Sequence, residues 1–104
     1  MNVKMINFPL NMNGNFDLKN ILKKIKKLGF SRVFVECGIN LITNFLYNNL
    51  IDVMHIFVSK RNLGKNGKLS FKKTTNSFLK KKKSSYEKIN LDGDKLISYN
   101  IKNV

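Results

Sequence analysis

The chain has 104 residues and carries 20 Lys plus Arg against 6 Asp plus Glu, a formal charge of +14. One domain is the ceiling at that length, and 42% hydrophobic content with 8 Phe and 3 Tyr is enough to build a core, which argues against wholesale disorder. The apolar runs fall far short of the ~18 residues of a membrane span, and Asn2, Lys4, Asn7 and Pro9 interrupt the N-terminus, so neither a transmembrane helix nor a secretory leader is predicted, and a cytoplasmic location is expected.

Lys4 to Phe8 alternates weakly and stops at Pro9, which predicts a short strand followed by a polar turn through Asn11, Asn13, Gly14 and Asn15. Leu18, Ile21, Leu22, Ile25 and Leu28 then recur at helical period and form one apolar stripe. Asp17 is placed to cap this helix and Gly29 to stop it, while Lys23, Lys24, Lys26 and Lys27 lie near its negative end and read as a solvated face. Arg32-Val33-Phe34-Val35-Glu36 is a β-rich apolar run and reads as a buried strand, ended by Cys37-Gly38. Ile39, Leu41, Ile42, Phe45 and Leu46 cover a broad helical face up to Asn48, and Val53 to Val58 reads as a second buried strand.

Strand, helix and strand in that order predict a β-α-β unit with a right-handed crossover and parallel strands. Leu63 to Gly67 is turn chemistry, and about 72–85, with four consecutive lysines from Lys80 to Lys83, reads as an exposed Lys-rich loop. Tyr86 to Leu91 and Lys95 to Ile101 flank Asp92-Gly93-Asp94 as a hairpin, with Ile89, Leu91, Leu96 and Tyr99 as inward candidates. The expected fold is α/β: a mixed sheet carrying the β-α-β unit and a C-terminal hairpin, with two helices packed on it, in one domain over 1–104.

The segment from Val33 to Leu41 has the strongest chemical content. A strand end delivers Glu36, then a small residue and a glycine, into a helix N-terminus, where unpaired N–H groups attract anions and Gly38 lets a phosphate approach the backbone. Two readings remain at this point: Gly38 as part of a phosphate site, and Gly38 as the pivot of a tight turn. Glu36 suits either recognition of a ligand's N–H groups or a pairing with a lysine. Cys37 has no second His to activate it, which argues against a nucleophile, and His55 alternates with Val53 and Phe57 as a hydrogen-bonded residue of the sheet. With one Cys and one His, neither an internal disulfide nor a zinc site of three or four such ligands is predicted.

At this segment the sequence resembles a family, the C-terminal reductase domain of the bifunctional riboflavin-biosynthesis deaminase-reductase, whose fold is dihydrofolate-reductase-like. Asp17-Leu18, Ile21-Leu22 and Leu28-Gly29 resemble its entry helix, and Val33-Phe34-Val35-Glu36-Cys37-Gly38 resembles its Val-Glu-Gly-Gly turn. Leu41 and Leu46 fit the next helix, Leu50-Ile51-Asp52 resembles its Leu-Val-Asp, and Leu63-Gly64 its Leu-Gly. Cys37 stands where the family has its first glycine, Val53 where an acidic residue is usual, and Lys60 where a proline is usual.

The resemblance covers about Val3 to Ile101 and only the second half of the reductase domain, so it implies a partial domain. It implies NADPH as cofactor and reduction of a phosphoribosylamino-pyrimidine to its ribitylamino product. It places Glu36 on the substrate-contacting glutamate, and Gly38, Ile39, Asn40, Leu41, Ile42, Thr43 and Asn44 on the cofactor-binding turn and first helical turns. The partners it implies are the missing reductase half or a deaminase domain, with a second copy of the chain as a further option. The deaminase's own zinc signature is absent from this sequence, which has one Cys and one His.

The alternative is a small basic protein that binds nucleic acid without sequence preference. Its charge has a compositional source, since Lys, Asn and Ile make up 44 of the 104 residues while Ala and Gln are absent, as drift toward A/T-rich codons produces. Aromatic residues interleaved with the basic ones would mark a nucleic-acid surface, but Phe and Tyr fall mostly in the apolar stripes, so no specific nucleic-acid partner is expected.

Overall fold

Helix α1, Leu18–Lys27, forms where the apolar stripe begins. Asp17 accepts a hydrogen bond from the Asn20 amide (3.2 Å) on Oδ1 and one from the Asn20 side chain (3.0 Å) on Oδ2, satisfying an N–H that the helix itself leaves free. Gly29 ends it with φ +101°, and the Gly29 and Phe30 amides donate to the carbonyls of Lys26 (2.9 Å) and Ile25 (3.4 Å). That pair of bonds is a Schellman closure, which needs a left-handed residue and therefore favours glycine. The stripe turns inward as expected, with Leu18 buried and Ile21, Leu22 and Ile25 half-buried, while all five helix lysines are exposed.

The structure, a computed structural model, describes residues 2–61, 64, 71–89 and 92–102. The chain divides into two compact units, Met1–Glu36 and Cys37–Val104. In the first, the polar turn is present: Asn11 Oδ1 accepts from the amides of Asn13 (3.0 Å) and Asn15 (2.9 Å), and a single bridge joins Leu10 to Phe16. The strand expected over Lys4 to Phe8 does not form; those residues have no regular structure.

The second unit holds helix α2, Ile39–Tyr47, strand β1, Val53–Val58, helix α3, Phe71–Leu79, strand β2, Ser84–Lys88, and strand β3, Lys95–Asn100. The sheet order is β1-β3-β2, and both pairings are antiparallel. Alternation along β1 sends Met54 and Ile56 to the face that carries the core. There Leu46 from α2, Met54, Leu79 from α3 and Ile101 just beyond β3 are buried together, with Ile42, Ile51, Phe78 and Tyr99 packed around them. Tyr47 meets Phe78 edge to face at 4.9 Å, which ties α2 to α3. Asn49, at φ +54°, closes α2 as Gly29 closes α1, its amide donating to Leu46 O (3.0 Å) and that of Leu50 to Phe45 O (3.0 Å).

The C-terminal hairpin forms as expected, with β2 starting two residues ahead of Tyr86. Of its inward candidates, Tyr99 packs on the core, Leu96 is half-buried, Ile89 is exposed, and Leu91 lies outside the described residues. The turn expected at 63–67 also lies outside them, apart from Gly64.

Two further expectations are corrected. Arg32 to Glu36 is not a strand, so the described residues contain no parallel β-α-β unit and the sheet is antiparallel rather than mixed. An apolar β-rich run becomes a strand only where a ladder receives its N–H and C=O groups, and no backbone hydrogen bond within the described residues involves 31–37. The stretch read as a loop over 72–85 contains α3, a turn and the start of β2. Thr75, Phe78 and Leu79 recur at i, i+3 and i+4, and α3 turns Thr75 and Leu79 fully inward. The flanking lysines mask that short stripe in the sequence.

Candidate functional site

Gly38 is the N-cap of α2, with φ −74° and ψ 174°, and its carbonyl accepts the first helical bond from Ile42 (3.1 Å). It has no side chain with which to cap, so the amides of Ile39, Asn40 and Leu41 are the free donors that every helix start presents. The backbone angles at Gly38 are ordinary extended values open to any residue, and a methyl group added there would meet no heavy atom within 4 Å. Neither conformation nor internal packing therefore requires a glycine at this position. Unpaired N–H groups at the positive end of a helix, preceded by a residue without a Cβ, are an arrangement that suits a phosphate. The first turn of α2 has no acidic residue to compete for those donors.

The remaining residues of this turn divide by what their side chains do. Asn40 and Leu41 are exposed and Ile39 is half-buried, next to the free amides. Ile42 packs against the core. The Thr43 hydroxyl donates back to the Ile39 carbonyl at 2.6 Å, and the Asn48 side-chain Nδ2 donates to both the backbone O (2.8 Å) and the Oδ1 (2.6 Å) of Asn44. Any contact that Ile42, Thr43 and Asn44 make with a phosphate would thus pass through the helix they hold together, whereas Ile39, Asn40 and Leu41 offer N–H groups directly.

Glu36 is the last residue of the first unit and is exposed; within the described residues its carboxylate has no hydrogen bond or ion pair. No lysine pairing accounts for it among the described residues.

Cys37 is half-buried, and burial pushes its thiol up from the ordinary value, which disfavours the thiolate and any nucleophilic role. Because the folded value is raised, the thiol form belongs to the fold, and its contribution is complete below the unfolded value and lost as pH climbs through the folded one. Iodoacetamide should alkylate Cys37 several-fold more slowly at pH 8 in the folded chain than in urea, by mass spectrometry, a magnitude on the order of that expected when burial lowers the thiolate fraction. Equal rates would mean that the thiol is not shielded.

His55 fulfils its expected role in the sheet: its Nδ1 lies 2.8 Å from the Ser98 hydroxyl directly opposite on β3, although the ring is exposed. Asp52 immediately precedes β1. Its carbonyl receives the Ile101 amide (2.8 Å), and its carboxylate meets Lys102 Nζ at 3.0 Å, an exposed pair of small energetic weight. No group of three or more His, Cys, Asp or Glu side chains able to hold a metal occurs among the described residues. Sequence reasoning did not reveal the row that His55 forms with Ser98, since the pairing joins residues 43 positions apart; the only local signal was the alternation around His55.

Comparison with known proteins gives the family of the chain. A model of the RibD C-terminal domain matches residues 2–92. The chain belongs to the RibD C-terminal domain family. It is also similar to riboflavin biosynthesis protein RibD of Aquifex aeolicus (strain VF5), at 39% identity over 49 residues, which are 47% of this chain and 14% of that protein. The matched stretch thus spans about a seventh of the relative's length. No solved structure matches the chain. The resemblance to the reductase domain is therefore borne out at the level of family. No helix among the described residues is long and apolar enough to cross a membrane.

Proposed function

We propose that this chain is the part of a riboflavin-pathway reductase domain that carries the NADPH-phosphate turn, and that it is inactive until the rest of the domain joins it. The observation that carries the proposal is Gly38, a glycine that neither backbone angles nor neighbouring atoms demand, set before free amides in a chain of the RibD C-terminal domain family. Bound there, NADPH supplies the hydride that reduces the ribosylamino group of a phosphoribosylamino-pyrimidine to a ribitylamino group. The amides of Ile39, Asn40 and Leu41 hold a cofactor phosphate, and Gly38 keeps its approach clear. Glu36 offers a carboxylate with no competing partner among the described residues, suited to accept hydrogen bonds from the pyrimidine's N–H groups rather than to move a proton.

Two features support the need for completion. Val33, Phe34 and Val35 are 46%, 79% and 42% exposed in a run whose residue types favour a buried strand. Strand β1 pairs only with β3, so its other edge is open among the described residues. Strands supplied by the remainder of a dihydrofolate-reductase-like domain would cover both features and build the walls that align the nicotinamide with the sugar carbon.

The test is genetic and enzymatic. In cells lacking this reductase, the chain alone should not support growth without riboflavin, whereas co-expression with the remainder of a RibD reductase domain should. Glu36→Gln in the reconstituted enzyme should raise KM for the pyrimidine about tenfold or more while leaving KM for NADPH within about twofold, as for loss of a charged hydrogen-bond acceptor. Full activity from the chain alone would refute the need for completion, and unchanged kinetics would remove Glu36 from the site.

A further inference from the structure

The face of the sheet turned away from the core holds a set of polar groups that the cofactor turn does not use. Register places His55, Ser98 and Ser85 side by side across the three strands, and Val53 beside Asn100 in the next row. The Asn100 amide donates to the Lys83 carbonyl at 3.3 Å, which sets Lys83 at the end of that second row. Lys83, Ser85, Ser98, Asn100 and Val53 border one open depression of about 360 Å³.

We propose that this depression is an anion site for a tetrahedral phosphate group, free or carried as a monoester by a small molecule. Lys83 supplies the charge, and the hydroxyls of Ser85 and Ser98 with the Asn100 side-chain amide supply neutral donors on fixed strands. His55 orients one of them: with the ring proton on Nδ1, the imidazole donates to Ser98 Oγ and leaves the Ser98 O–H to donate outward. Lys82 does not share this role, because its Nζ donates to the Ile101 carbonyl at 2.7 Å. Two carboxylates lie near by. Asp52 is engaged by Lys102 at 3.0 Å, and Glu87, two residues along β2 from Ser85 and on the same face, opposes an anion from one side. The exposed lysines of α1 belong to a helix of the first unit rather than to this sheet. The site stands on the sheet alone and is independent of the NADPH reading.

The experiment is amide-resolved NMR titration of the full chain with inorganic phosphate and, separately, glycerol phosphate, against chloride at matched ionic strength. Saturable shifts confined to Lys83, Ser85, Ser98 and Asn100 are expected with at least one of the two. Tighter binding of the monoester assigns the site to a phosphorylated small molecule, and tighter binding of inorganic phosphate assigns it to the free ion. Lys83→Met should weaken the binding about fivefold or more, Ser98→Ala about two- to threefold, and Glu87→Gln should strengthen it about twofold, as charge-assisted bonds and like-charge repulsion require. Lys24→Met on α1 should leave it unchanged. Shifts spread evenly over the lysines, or equal losses from Lys83→Met and Lys24→Met, would overturn the proposal and leave only the general attraction of a chain with charge +14.

Discussion

Leu46→Ala should lower the stability of the second unit by about 2–5 kcal/mol, measured by urea unfolding followed by circular dichroism. Leu46 is 5% exposed and joins Met54, Leu79 and Ile101 in a cluster to which α2, β1, α3 and the end of β3 each contribute one residue. Truncation removes contacts to three other elements at once, and a small core has few other groups able to close the cavity. Small domains have about 5–15 kcal/mol in total, so such a loss is a large share of what holds the unit together. Phe57→Ala is the control: Phe57 is 70% exposed on the opposite face of β1, and its loss should cost about 0.5 kcal/mol or less. Equal effects would mean that the core lies elsewhere.

Gly38→Val should separate binding from folding. Its Cβ would meet nothing within 4 Å and the backbone angles suit any residue, so stability should change by less than about 1 kcal/mol, chiefly because valine is a poor N-cap. In the completed reductase domain the branched methyls would stand where the cofactor phosphate approaches the amides of Ile39 to Leu41, and NADPH affinity should fall about tenfold or more, as for loss of charge-assisted bonds to a helix start. Thermal unfolding and NADPH titration of the same variant read the two effects separately. A large loss of stability with unchanged affinity would make Gly38 a residue of the turn and nothing more.

The parts of the fold that were legible are those encoded locally. The α1 stripe, the Asp17 cap and the Gly29 stop all lie within thirteen residues and need no partner to be read. The hairpin from Ser84 to Asn100 was legible for the same reason, through Asp92-Gly93-Asp94. What failed depended on distant partners. Val33-Phe34-Val35 has the composition of a buried strand, but pairing is a property of two segments, and no segment among the described residues pairs with it. The pairing of Val53–Val58 with Lys95–Asn100 reverses the expected parallel arrangement, because β1 finds its neighbour some forty residues on rather than in the segment before α2. Helix α3 was hidden by lysines around a stripe of three residues.

The candidate site was legible as a motif, from Glu36 to Leu41, and that motif also carried the family resemblance. The strand-borne donors at Ser85, Ser98 and Asn100 were not, since only the register brings them together.

If this chain carries the phosphate-binding turn of a reductase domain whose completion it needs, its NADPH affinity should depend on that completion. NADPH fluorescence titration of the purified chain, alone and mixed with the remainder of a RibD reductase domain as a separate polypeptide, measures that dependence. A helix start contributes only up to about 1 kcal/mol toward an anion, too little to offset the ordering of a dinucleotide, so the chain alone should bind weakly or not measurably. The mixture should bind saturably, and Gly38→Val should reduce that binding. Tight binding by the chain alone, or a mixture no better than its separate parts, would contradict the claim.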